Sequence, residues 1–331
     1  MARRIRLGII GAGIAGLTLA RAMADSADVR IFEKSRGVGG RLATRRTDAW
    51  SFDHGAQYFT IRDGRFRAAL HTAQADGAIQ PWTGAMVTLP QRDPAAQSSA
   101  DTTRYVGSPS MNALAKALAV GLDILTDAPV KAITGTPGQW FLEIGDRGEG
   151  PFDWLVSTAP APQSAALLPV EFTHHAALAE TRMNACFTLM IRQTEEAKLA
   201  FAAARVNDPV IGWISRNNSK PERRHEPSLV VNATAQWSDA HLEELLDDVR
   251  HSMLEAIRRY VPISPVEADS AMIHRWRYAN VERPTGQPFL LDEESRLAAC
   301  GDWCIAGRVE AAFLSATALG DALKQIVKAA P

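Results

Sequence analysis

The sequence predicts an α/β fold in which a discontinuous parallel sheet is joined to a second, mixed-sheet α+β domain. Three observations predict it. The apolar run Ile5–Ile10 leads into Gly11-Ala12-Gly13-Ile14-Ala15-Gly16, with the acid Glu33 placed 22 residues after Gly11. A second glycine-rich stretch, Lys34-Ser35-Arg36-Gly37-Val38-Gly39-Gly40-Arg41, follows that acid directly. At the far end, a short apolar strand over 297–300 precedes Gly301-Asp302-Trp303 and a helix rich in Ala and Leu over 311–327.

The first element is a strand, glycine turn and helix with the order of a Rossmann-like dinucleotide-binding unit. Gly11 permits the tight turn, Gly13 lets the backbone approach a pyrophosphate, and Gly16 lets helix and strand pack closely. The helix N-terminus, over Ala12, Ile14 and Ala15, presents free N–H groups and a partial positive charge to phosphates. Glu33 closes the strand at 29–32, where it would accept hydrogen bonds from an adenosine ribose and disfavour the extra phosphate of NADP.

The second loop decides between dinucleotides. A simple NAD dehydrogenase has no evident use for it, whereas the long FAD molecule must be covered from two sides. Gly39 and Gly40 allow close backbone approach, and Arg41 can fork onto phosphate oxygens. The third element fits the same cofactor: Asp302 would lie near ribityl hydroxyls, and the helix opening at Gly307-Arg308-Val309-Glu310 would aim its dipole at the flavin pyrimidine edge. The bland alternatives are a basic surface hairpin and a capped terminal helix.

Between these ends, 111–120 reads as a short amphipathic helix and 128–134 as a strand whose Val130 backbone could contact adenine. Gln139–Ile144 and 153–157 read as further strands, and Thr158-Ala159-Pro160-Ala161-Pro162 as a turn leaving the domain. Strands at 188–192, 210–214, 228–234 and 271–277 belong to the second domain. Ser238 is expected to cap a long helix carrying Leu242, Leu245, Leu246, Val249, Met253 and Ile257 at helical spacing. The FAD-binding domain is thus expected over 1–65, 105–162 and 295–331, and the substrate domain over 66–104 and 163–294. The polar stretch 91–103 is either a lid or a plain flexible excursion.

At 331 residues the chain can bury a large core in about two domains. A net charge of −1 gives no global field to attract nucleic acid or an anionic membrane. Three cysteines, Cys186, Cys300 and Cys304, make neither a disulfide framework nor a zinc site and suit a reducing cytoplasm. No metal site is expected, and a glycine fingerprint inside the first apolar stretch argues against a signal peptide.

Several runs resemble renalase, especially its bacterial members. They are Ser35 through Arg41; Asp53-His54-Gly55-Ala56-Gln57-Tyr58-Phe59-Thr60; Asn218-Ser219-Lys220-Pro221-Glu222-Arg223; Trp237-Ser238; His274-Arg275-Trp276 with Tyr278-Ala279; and Cys300-Gly301-Asp302-Trp303-Cys304 through Ser315. The resemblance implies an FAD oxidase that takes a hydride from the 2- and 6-dihydro isomers of NAD(P) and passes the electrons to oxygen, giving hydrogen peroxide. It implies non-covalent FAD held by Ile14, Glu33, Lys34, Arg41, Ala56, Gln57, Val130, Asp302 and Val309. It also implies a substrate face made by Tyr58, Phe59, Thr60, Ile61, Arg62, Cys186 and Arg308, with Ser98 nearby. One departure is Asn232-Ala233-Thr234, where the relatives read His-Ala-Thr.

Hydride transfer to a flavin needs no protein nucleophile and no metal, so no catalytic side chain is expected. Tyr58, Phe59 and Trp303 could stack a nicotinamide ring, and ordinary core packing is the alternative for each. Two alternatives stay open: a conventional amine oxidase, which would want an aromatic cage and a lysine near the flavin, and a flavin-binding sensor or electron carrier.

Overall fold

The computed structural model describes residues 4–90, 102–196, 198–223 and 226–329. Its first sheet runs Leu290–Asp292, Leu297–Ala299, Trp154–Ser157, Ile5–Ile10, Ala27–Phe32, Asp123–Leu125. All neighbours are parallel except the first pair. The sequence explains why this sheet is covered on both faces. Leu7, Ile9, Ile31 and Val156 share one hydrophobic cluster, while the alternate residues Ile10, Phe32, Leu155 and Ala299 share another.

Helices Ile14–Met23 and Val309–Ala329 lie on the first face, where Gly320 brings the last helix so close that an added Cβ would stand 3.0 Å from Ala22. The opposite face is covered by the antiparallel strands Val130–Thr136, Gln139–Ile144 and Arg147–Phe152. Their Trp140 and Leu142 pack there beside Leu168, Phe172 and Leu178. The proline turn after Ser157 continues as a helix, Ala161–Leu167, with Ala161 in this same cluster.

The second large sheet runs Met272–Arg283, Arg182–Arg192, Ser228–Ala233, Ile211–Arg216, Ala203–Val206, Met86–Leu89. It is antiparallel apart from its last pair, hence mixed. Alternation again divides its residues. Phe187, Leu189, Ile191, Leu229 and Val231 pack on Val249, Met253 and Ile257 of the helix Leu246–Ile257. Cys186, Thr188, Asn232 and Trp213 point to the other side, where Trp213 joins the core of the nucleotide-binding domain.

The single long helix expected after Ser238 is two helices, Ala235–Ala240 and Leu246–Ile257. Thr234, not Ser238, caps the first, accepting from Trp237 N. Ser238 is buried one turn in, donating to the Thr234 carbonyl at 2.7 Å. Leu245 and Leu246 lie at the break and are exposed, so only the later half of the apolar stripe is core.

Candidate active site

The cleft begins where Ile5–Ile10 ends. Gly11 adopts φ +104°, open to glycine and strained for other residues, and its N–H donates to Phe32 O at 2.8 Å. A Cβ on Gly16 would stand 2.0 Å from the Gly11 carbonyl, so helix and turn meet only through glycine. Gly13 differs. No side chain caps the helix there, and a Cβ would meet nothing within 4 Å. An uncapped helix N-terminus facing open space through a bare glycine fits a pyrophosphate.

Buried Glu33 fixes the turn from the other side, with one carboxylate oxygen accepting from Ala12 N at 2.8 Å and the other from Ser35 N at 2.9 Å. The second glycine loop is stitched to the first by Gly39 N donating to Ala12 O at 2.9 Å, and Gly40 sits against Gly13. Lys34 is exposed beside them, while Ile14 and Ala15 are buried. Arg41 then reaches across the cleft. Its guanidinium forks onto both oxygens of Asp302 and donates to Ala279 O at 3.1 Å. The carbonyl of Arg41 accepts from Ala56 N at 2.9 Å. Val130 opens its strand close to the Glu33 loop, because Ala128 N donates to Glu33 O at 2.9 Å. Val309 starts the last helix, and buried Glu310 beside it accepts from the N–H groups of Arg62 and Asp63, each at 2.7 Å. The two glycine loops, Arg41, Ala56 and Asp302 therefore form one connected lining, although 261 positions separate Arg41 from Asp302.

Along the short strand Phe59–Thr60 the side chains alternate. Phe59 and Ile61 are buried in the core, Phe59 stacked on Tyr105, whereas Tyr58 and Thr60 are half-buried and Arg62 is exposed. Tyr58 packs on Trp213 with centroids 5.7 Å apart. Arg308, exposed just before the last helix, occupies the corner tied to Arg62 through Glu310. Trp303 offers no face to a ligand. It is fully buried, its indole donating to Ala159 O at 3.0 Å, so it is a core residue of the cluster that holds Trp140 and Leu155. Ser98 and residues 91–101 lie outside the described residues.

Opposite the loop, the second sheet presents a polar chain. Asn232 donates to Thr188 Oγ1 at 2.8 Å and lies 3.7 Å from Cys186 Sγ. Thr188 and Trp276 both donate to the His54 carbonyl, at 3.1 and 2.8 Å. The His54 ring packs on His274 and Trp276 at 4.8 and 5.3 Å. Desolvation pushes the Cys186 thiol up to about 11, with hydrogen bonds from Asn232 and Thr188 opposing it. It pushes His54 down to about 4, helped by His274 and Arg45, and His274 likewise to about 4.

The sequence reading missed a buried ion cluster behind the loop. Asp53, Lys220 and Arg223 have fully buried side chains. Asp53 Oδ2 accepts from Lys220 Nζ at 3.2 Å and from Arg223 at 3.0 and 2.7 Å. Its Oδ1 accepts from Thr44 Oγ1 at 2.7 Å and Met111 N at 3.0 Å. Burial alone would raise the Asp53 pKa, but the two cations overcome it and hold the carboxyl far below its usual range. Desolvation pushes Lys220 down to about 8 against the pull of Asp53. Gln57 is tied into the same cluster. Its Oε1 accepts from Ser215 Oγ at 2.8 Å and Lys220 Nζ at 3.2 Å, so its amide points into the protein. Lys220-x-x-Arg223 was visible as a run, but nothing in its spacing points to Asp53.

Fold and cleft together define an FAD-dependent oxidoreductase. Residues 9–72 match the NAD(P)-binding Rossmann-like domain, and residues 78–319 match flavin containing amine oxidoreductase. The chain belongs to the flavin containing amine oxidoreductase family. Among solved structures it is similar to the "Putative protoporphyrinogen oxidase" of Exiguobacterium sp. 255-15, with TM-score 0.77 and 14% identity over 98% of this chain and 100% of that one. It is also similar to cyclohexylamine oxidase from Brevibacterium oxydans IH-35A, with TM-score 0.72 and 13% identity over 98% and 100% of the two chains. At such identities the likeness is one of fold.

Proposed function

We propose that the protein is a renalase-like oxidase of the 2- and 6-dihydro isomers of NAD(P), converting dihydronicotinamide, oxygen and a proton to NAD(P)⁺ and hydrogen peroxide. The observation that carries this reading is the uncharged polar character of the groups gathered on the second sheet around the His54 carbonyl. With thiol and imidazole pKa values pushed to about 11 and about 4, Cys186, His54 and His274 are uncharged at neutral pH, as are Thr188 and Asn232 beside them. A neutral dihydropyridine ring bearing a carboxamide suits such a face. Half-buried Asn232, its amide nitrogen steadied by the buried Thr188 hydroxyl, can exchange a hydrogen bond with the carboxamide, and Tyr58 and Trp213 offer ring faces. Losing a hydride requires no proton removal, so the absence of a strong base among these five groups is no handicap.

Bound FAD supplies the two-electron acceptor. The protein's part is to orient the ring, exclude water and keep the cofactor in place through Glu33, Arg41, Ala56, Asp302 and the helix N-termini at Gly13 and Val309. Buried Cys300 and Cys304 have their thiols pushed up, Cys304 to about 12, which supports non-covalent attachment. Three free thiols support a reducing compartment, and no described helix is long and apolar enough to cross a membrane.

A second reading is a conventional amine oxidase, favoured by family membership and by the Tyr58–Trp213 aromatic pair. Oxygen consumption separates the two. The expected result is stoichiometric peroxide from 6-dihydroNAD and none from primary amines; the reverse pattern establishes the second reading.

A further inference from the structure

We infer that Lys220 is a positioning residue for the flavin, holding a surplus positive charge against the 53–57 loop so that the reduced cofactor is favoured. The inference rests on the FAD cleft and is independent of which substrate reduces it.

The buried cluster does not balance. Asp53 brings one negative charge and Lys220 and Arg223 two positive ones, and all three side chains are fully buried. Lys220 Nζ donates to Asp53 Oδ2 at 3.2 Å, Gln57 Oε1 at 3.2 Å and Asn217 Oδ1 at 3.3 Å, which uses all three of its protons. It also lies 5.2 Å from the Trp82 ring centroid. Asp53 Oδ2 is already taken by Arg223, at 3.0 and 2.7 Å. The Asp53–Arg223 pair is balanced by itself, so ion pairing alone does not call for a second cation, and burying one costs free energy. Desolvation registers in Lys220 itself, whose pKa is pushed down to about 8.

The same loop touches the cofactor cleft. Gln57 receives Lys220 on Oε1 and donates from Nε2 to Asp53 O at 2.6 Å and Gly55 O at 3.0 Å. A Cβ on Gly55 would strike the Arg41 carbonyl, to which Ala56 N donates at 2.9 Å. Arg41 in turn is paired with Asp302 in the cleft lining. The loop thus meets Lys220 through Gln57, and the lining through Gly55 and Ala56. Two-electron reduction leaves a flavin negatively charged, so a nearby fixed positive charge in a low dielectric favours reduction.

The test is a mediated spectroelectrochemical titration of the FAD-loaded protein, which needs no substrate. In Lys220→Met, similar in length but uncharged, reduction should be disfavoured at least tenfold, a fall of about 30 mV in the two-electron midpoint potential. A flavin-bound variant with the wild-type potential overturns the inference. The pH profile is a readout that a purely structural lysine would not move. Below about 8, Lys220 is protonated in both redox states. Above it, reduction should raise the Lys220 pKa and draw in one more proton. The wild-type potential should then fall more steeply with pH, and Lys220→Met should lack that break. Among the described residues, the charged groups facing Lys220 are Asp53, held ionised, and Arg223, which does not deprotonate. Cys186 and the two histidines titrate elsewhere, at about 11 and about 4. If Lys220→Met fails to fold, the wild-type profile decides: a break near 8 upholds the inference and an unbroken profile overturns it.

Discussion

Asp53 is a carboxylate with no access to water that receives hydrogen bonds from Thr44, Met111, Lys220 and Arg223. It therefore fastens the chain just before Ala56 and Gln57 to two distant segments. Asp53→Asn leaves two buried cations uncompensated and should lower stability by about 3–5 kcal/mol, read as an earlier urea unfolding midpoint. Unchanged stability would show that the cluster contributes nothing. This part of the site was illegible in the sequence for a physical reason: partners 167 positions apart are joined only by tertiary packing. Asn232 was legible as a departure from the resembling family but not in its consequence. Its place opposite Thr188, to which it donates, and beside Cys186 gives that departure a structural setting.

Among the elements, the glycine loops were the most legible, because each glycine answers a local demand of the backbone. The structure separates those demands. Gly16 is required by the protein itself, since its Cβ would strike the Gly11 carbonyl, whereas Gly13 faces open space. Gly13→Ala should consequently leave the apoprotein's thermal unfolding near that of the wild type yet purify with little flavin, and Gly16→Ala should lose both. A Gly13→Ala protein that retains full flavin would remove Gly13 from the cofactor cradle. Periodicity was less informative for the helix expected after Ser238. It registers apolar positions at helical spacing but not the break before Leu246, where Leu245 turns to solvent. Trp303 shows a related limit: composition announces an aromatic that could stack a ligand or fill the core, and packing decides for the core.

At the scale of the molecule, the proposed substrate face gathers residues that the sequence places far apart, and burial lowers the proton affinity of its two histidines. His54 and His274, lowered to about 4, bind protons more readily in the unfolded chain, whose imidazoles titrate near 6.5. Their contribution to stability is complete above pH 6.5 and is lost as pH falls toward 4. The melting temperature should drop across that window, and less steeply in a His54→Gln, His274→Gln double variant. Parallel pH profiles would show that neither histidine is held neutral by the fold.

The most direct test of the proposed function is anaerobic stopped-flow mixing of the yellow protein with 6-dihydroNAD, and in parallel with a primary amine. Rapid loss of flavin absorbance with the dihydronicotinamide alone is the predicted result. Bleaching by the amine alone, or by neither compound, would contradict it.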